Sequence, residues 1–214
     1  MNHKVALRGF TLIELMLSMS FIAFMLIAIA LCIIQMSTIY SRGETLRNIN
    51  QAARVIATDM EDTITAAYPF NVDQTTVNAG RLCTGQFSYI WNTPTTTNAY
   101  TNPTADGTIR FVRVADANGA LCSNLSAPIT KANAVELLEA GDRTLIVRSF
   151  SITRVAEDAA TKQQLYTIAM TLGTNDLNAI DTTANTCKPP SDAGADLTYC
   201  AVNEFSITVR AGIR

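Results

Sequence analysis

The side chains of this sequence that could carry chemistry form few sets able to act together. Its 214 residues include one histidine, His3, close to the N-terminus. Neither a Ser-His-Asp nor a Cys-His arrangement can therefore be assembled in the body of the chain. Of five cysteines, Cys83, Cys122, Cys187 and Cys200 lie in polar sequence, and no C-x-x-C occurs among them. Without histidines to complete a set, a zinc site is not expected. The neighbouring carboxylates Glu61 and Asp62, and Glu136 and Glu139, read as charged groups on the solvent face of helices. Two Asp-rich stretches, "TNDLNAID" (174–181) and "SDAGAD" (191–196), offer hard oxygen ligands but lack the spacing of a calcium loop, and read as turns. Tyr89, Trp91 and Tyr100 read as core and loop anchors rather than a recognition patch. There is no glycine-rich phosphate loop. The expectation is a protein with no catalytic residues, no metal and no cofactor.

One carboxylate is out of place. Glu14 stands in "RGFTLIEL" (8–15), at the start of an apolar run, and a carboxylate entering a bilayer costs at least a few kcal/mol unless paired or neutralised. The run itself, Met16 to Ile34, has nineteen residues without a charge, proline or glycine. As a helix it would span roughly 29 Å, close to the hydrocarbon thickness of a membrane. "LCIIQMSTIY" offers no A-x-A site, so a retained transmembrane helix is expected rather than a cleaved secretory signal. Ser18 and Ser20 can bond back to their own helix and do not oppose insertion.

The helical pattern continues. Ile39, Leu46, Ile49, Ala53, Ile56, Met60 and Ile64 recur at spacings of 7, 3, 4, 3, 4 and 4, one apolar stripe of an amphipathic helix. Gly43 weakens this helix by about 1 kcal/mol relative to Ala without ending it, and Pro69 is the first strong stop. One helix of about 55 residues follows from this pattern, its first half in lipid and its second half against a globular domain.

Charge and composition narrow the class further. The formal net charge is −2 and charged residues make up 16 % of the chain, so no basic field points to nucleic acid. Past the apolar run the sequence turns polar, with short β-branched and aromatic segments at 86–91, 108–114, 144–155, 164–172 and 204–210. The segments 144–155 and 164–172 read as an antiparallel hairpin with "AEDAATKQ" at its tip. In "TIRFVRV" Ile109, Phe111, Val112 and Val114 compete for the buried face. "NAVELLEAGD" (133–142) reads as a short helix ended by Gly141, and 92–107 and 173–203 as long loops. The fold expected is α+β, a long N-terminal helix packed on an antiparallel sheet. An even set of cysteines beyond a membrane segment reads as two disulfides in an oxidising compartment. Four cysteines permit three pairings; Cys83 with Cys122 and Cys187 with Cys200 are favoured because each pair encloses one loop.

A basic leader "MNHKVALR", then Gly9, then Phe10-Thr11-Leu12-Ile13-Glu14, then an apolar helix resembles the class III signal of type IV pilins and pseudopilins. The resemblance implies cleavage after Gly9 by a membrane prepilin peptidase and N-methylation of Phe10. Loss of residues 1–9 removes Lys4 and Arg8 and leaves 14 basic against 18 acidic residues, a net of −4. Lys4 and Arg8 suit a leader held on the cytoplasmic side. It also implies a role for Glu14, whose carboxylate would pair with the α-amine of a neighbouring subunit. "QAARVIATDMEDTITAAYPF" (51–70) is similar to the helix end of minor pilins of the PilW type and of pseudopilin J, with Arg54, Asp59 and Met60 as counterparts of their R-x-x-x-x-(D/E)-(L/M) pattern. The chain departs from major pilins at Leu31, where they carry a helix-kinking proline. The implied organisation is a leader (1–9), a transmembrane helix half (10–39), an amphipathic half (40–68) and a β-rich extracytoplasmic head (69–214). The implied partners are other pilin subunits, the prepilin peptidase and an inner-membrane assembly platform. The expected function is that of a minor type IV pilin, membrane-inserted and then carried to a surface filament. The alternatives are a type II secretion pseudopilin of the J kind, or a pilus-tip adhesin using the loop 173–203.

Overall fold

A computed structural model of the chain describes residues 11–96, 110–117, 119–123, 129, 133–138, 145–176, 178–196 and 198–212, with only the backbone of Cys122 and Ser123. It divides into two compact units, residues 1–41 and 42–214. Helix α1, Leu12–Thr65, runs unbroken for 54 residues. It stops where expected: Ala67 N–H bonds back to Ile64 carbonyl oxygen in a tightened last turn, and Pro69 has no N–H with which to continue.

In the larger unit the expected stripe is the buried face of α1. Ile49, Ile56, Met60 and Ile64 are fully buried, Ala53 nearly so, and Leu46 is partly buried, whereas Ile39 is exposed. Thr45 and Thr63 extend the buried face with polar residues that the apolar pattern did not include.

Two antiparallel sheets complete the α+β fold. The first has the order β1 (Arg81–Cys83), β2 (Phe87–Trp91), β3 (Phe111–Ala115) and β4 (Ala134–Glu136). The second has the order β5 (Leu145–Glu157), β6 (Gln164–Thr174) and β9 (Val202–Ala211). Helix α2 (Gln74–Asn78), whose start is capped by the Asp73 carboxylate accepting from Thr75 N–H at 2.8 Å, precedes β1, and the short helix α3 (Ala120–Ser123) lies between β3 and β4. The strands β7 (Ile180–Asp181) and β8 (Thr186–Cys187) form a small separate hairpin.

The main core joins the buried face of α1 to both sheets through Tyr89, Trp91, Phe111, Val147, Ile168 and Met170, among others. Trp91 and Phe150, with ring centroids 4.3 Å apart, link the two sheets across it. β3 resolves the competition for its buried face by burying both sides. Phe111 faces the main core, while Val112 and Val114 join Ile90 and Leu121 in a second cluster behind the first sheet.

The hairpin β5–β6 forms as its sequence predicts. Its tip is fixed by the Asp158 carboxylate, which accepts from Ala160 N–H at 2.8 Å and Thr161 N–H at 3.1 Å.

The segment 133–142 differs from expectation. Residues 134–136 are the edge strand β4, paired with β3, and not a helix; residues 139–142 lie outside the described residues. β3 presents an open edge whose backbone groups need partners, and strand pairing outweighs a local helix preference of a few tenths of a kcal/mol per residue. Glu136 reinforces the extended form, its carboxylate accepting from Phe111 N–H at 2.8 Å and Leu138 N–H at 3.3 Å. It is therefore half-buried against the sheet rather than solvent-facing on a helix, and Glu139 lies outside the described residues.

Candidate functional site

Glu14 sits in the first turn of α1, exposed, and closes a reciprocal pair with Thr11. Thr11 N–H and the Thr11 hydroxyl donate to Glu14 Oε2 at 3.2 and 3.0 Å, and Glu14 N–H donates to Thr11 Oγ1 at 3.3 Å. This is a capping box, in which residues three apart satisfy each other's orphan backbone donors. The carboxylate also lies at the positive end of the helix dipole. The T-x-x-E signature was present in the sequence and is a purely local reason for Glu14. Yet Thr11 supplies no cation, and no described residue forms an ion pair with the carboxylate. Gly9 and Phe10 lie outside the described residues.

Past this cap α1 presents apolar side chains in every direction. Leu12, Ile13, Met16, Leu17, Phe21, Phe24 and Ile33 are all more than half exposed, and no residue of the helix's most apolar window is buried. Its hydroxyls are turned inward chemically: Ser18 donates to Leu15 carbonyl oxygen and Ser20 to Met16 carbonyl oxygen, each at 2.9 Å. By length and composition this helix can cross a membrane, and it is the single candidate span among the described residues. Cys32 is a free, exposed thiol within it.

In the larger unit, Asp59 ties α1 to the first sheet. It accepts from Tyr89 hydroxyl at 2.9 Å and from Arg113 Nη1 at 2.5 Å, while the Arg113 guanidinium lies 5.1 Å from the centre of the Phe87 ring. Burial raises the Tyr89 phenol well above its ordinary value, so it acts here as a fixed donor. Of the other motif residues, Met60 is buried in the core and Arg54 is exposed. The motif thus combines a packing residue, a bridge to the sheet and a surface cation.

Cys187 and Cys200 form a disulfide, with Cα atoms 5.9 Å apart. It closes the loop carrying β7 and β8 over a small apolar cluster of Ala179, Ile180 and Cys200. Cys83 is disulfide-bonded; the side chain of Cys122, its expected partner, lies outside the described residues.

The Asp-rich turns are held by backbone donors: Asp181 accepts from Thr183 and Ala184 N–H, and Asp196 from Thr198 and Tyr199 N–H. Those donors hold the Asp181 carboxyl below the ordinary carboxylate range. No group of three or more His, Cys, Asp or Glu residues placed to hold a metal ion occurs among the described residues. Tyr89 and Trp91 are buried in the core, and Tyr100 lies outside the described residues.

Arg110, Asp116 and Arg148 are buried and Glu136 is half-buried, charged groups that the sequence patterns did not anticipate. Burial pushes the Glu136 carboxyl up to about 7, against the pull of its backbone donors from Phe111, Leu138 and Arg110. Arg148 is buried with no partner for its Nε and Nη1 donors, and burial lowers its pKa. It stands where β5 bulges between Val147 and Ser149, so its placement depends on a register that strand patterning does not reveal. A polar groove of about 620 Å³, lined in part by Arg42, Leu46, Thr186, Asn203 and Glu204, opens in this unit, and it gathers no nucleophile–base set.

Compared with models of protein families, with curated proteins and with solved structures, the chain matches none.

Proposed function

We propose that this chain is a minor type IV pilin: a non-enzymatic subunit inserted in the cytoplasmic membrane, processed at Gly9–Phe10, and carried into or to the tip of a surface filament. The observation that supports this reading most directly is Glu14, a carboxylate with no ion-pair partner among the described residues, on a helix whose surroundings are otherwise apolar on every side. One such helix cannot neutralise that charge. Two helices displaced along their axes can, if the α-amine at Phe10 of one lies beside Glu14 of the other. The cost of burying the carboxylate then selects one axial offset, and fixing register is the best-attested use of a buried charge pair. The larger unit fits the role of a head, since its core, its two sheets and its disulfide-closed loop lie together on the C-terminal side of Ser41. The leader would remain cytoplasmic and the head extracytoplasmic, where disulfides persist.

The test is the intact mass of the protein recovered from sheared surface filaments, with the membrane fraction alongside. The expected filament species begins at Phe10, heavier by one methyl group. A processed species confined to the membrane would replace the filament reading with a pseudopilin. A chain retaining residues 1–9 in both fractions would end the pilin reading altogether.

A further inference from the structure

The two edges of the second sheet are finished differently. β5 is guarded: it carries irregularities at Val147/Ser149 and Arg154/Ala156, and Gln74 Nε2 reaches across to the Ile152 carbonyl oxygen at 2.9 Å. Bulges and covering side chains are common protections of an exposed edge. β9 has none of these. Its pairing with β6 runs without a shift from Val202 to Ala211, and "VNEFSITVRA" contains neither proline nor lysine.

The hydrogen-bond phase of β9 follows from its two ends. Thr174 N–H donates to the Ala201 carbonyl oxygen, so odd-numbered residues of this strand face β6. Gly212 N–H instead turns outward, to the Ala67 carbonyl oxygen at 3.0 Å. The main-chain groups of Val202, Glu204, Ser206, Thr208 and Arg210 therefore point away from the sheet and meet no partner among the described residues. Glu204, Ser206, Thr208 and Arg210 are also exposed as side chains, on the face opposite the core. Neither Glu204 nor Arg210 forms an ion pair with a described residue.

We propose that β9 is the docking edge for a second copy of this chain, paired antiparallel about Ile207. In that register Glu204 stands opposite Arg210 of the second copy, twice by symmetry, and Ser206 stands opposite Thr208. Both main-chain groups of these four residues find partners, and the three-stranded sheet becomes one of six strands. A shift of two residues either way separates both charge pairs, and a shift of one places the faces in conflict. Opposite charges across a strand pair stabilise it and like charges oppose it, so the sequence of the edge selects this register. The pairing needs only the head and stands independently of the filament reading.

The test uses the full-length chain in membranes with Cys32→Ser, which removes the free thiol. Two differently tagged copies, one Ser206→Cys and one Thr208→Cys, are expressed together and oxidised. A mixed, disulfide-linked dimer is expected, and none when Thr208→Cys is replaced by Ser151→Cys, on the same face at the far side of the sheet. Glu204→Arg should lower the dimer yield several-fold, and adding Arg210→Glu to the same chain should restore it. With the Cys187–Cys200 bond verified intact by mass, absence of the mixed dimer overturns the proposal. So does cross-linking only to a different protein, or a double charge reversal that fails to restore the yield.

Discussion

Glu14 has two physical roles, and single substitutions separate them. Glu14→Gln keeps an oxygen that can accept from Thr11 but removes the charge; Thr11→Ala removes the cap but keeps the charge. If the carboxylate serves only the cap, Thr11→Ala should be the more harmful, fraying the helix start by about 1 kcal/mol. The pilin reading expects the reverse. Thr11→Ala should enter filaments near the normal level, while Glu14→Gln should insert and be processed yet enter filaments about tenfold less, equivalent to about 1.4 kcal/mol. Quantifying each variant in sheared filaments against the membrane fraction decides between them. Glu136 offers a second test at this scale. Its folded carboxyl titrates near 7 against an ordinary value of 4.5, so the folded chain holds the proton more tightly than the unfolded chain. The stability it contributes is full below about 4.5 and is lost as pH rises through about 7. Glu136→Gln should flatten the melting temperature of the head across that interval, and an unchanged pH profile would refute this account.

Among the elements, α1 has one continuous backbone and two kinds of surface. Its first part is apolar all round, as a helix in lipid must be, and its last turns are apolar on one stripe, as a helix on a sheet must be. No proline or helix-breaking cluster divides the two, and Gly43, with open space around it, is tolerated where the surface changes character. The loop between β6 and β9 depends on a covalent tie instead. It contributes two-residue strands and a small apolar cluster, too little to hold its course alone. Replacing Cys187 and Cys200 together by serine should lower the stability of the head by about 3 kcal/mol on the chain-entropy estimate. Denaturant unfolding should report this, with proteolysis first appearing between residues 182 and 199. Loss of stability without cleavage there would place the effect elsewhere.

The whole molecule is two compact units with separate demands. Every member of the main core, from Ile49 to Ala211, belongs to the larger unit. Residues 11–41 contribute nothing to that core, and their exposed apolar surface needs lipid or other helices to cover it. A chain beginning at Arg42 should therefore fold, form the Cys187–Cys200 disulfide and remain in solution without detergent. The full chain should need detergent for extraction. Circular dichroism, thiol counting and extraction of both chains test this, and aggregation of the shorter chain would show that the head depends on residues before Arg42.

The sequence by itself determined the features whose information is local or periodic. These are the 54-residue helix, its buried stripe from Leu46 to Ile64, and the strands β2, β5, β6 and β9; of the three pairings the four polar-region cysteines permit, the structure contains the favoured Cys187–Cys200 bond. Glu14 was legible for the same reason, since a lone carboxylate before an apolar run needs no fold to be anomalous. The tertiary structure alone decided what depends on residues distant in sequence. It made Ala134–Glu136 a strand because β3 had an edge to fill, buried both faces of β3 between two clusters, and drew Asp59 to Tyr89 and Arg113. It also placed Arg148 at a bulge and left β9 as an unguarded edge. Backbone pairing and burial are settled between elements, and periodicity within one element carries no record of the other.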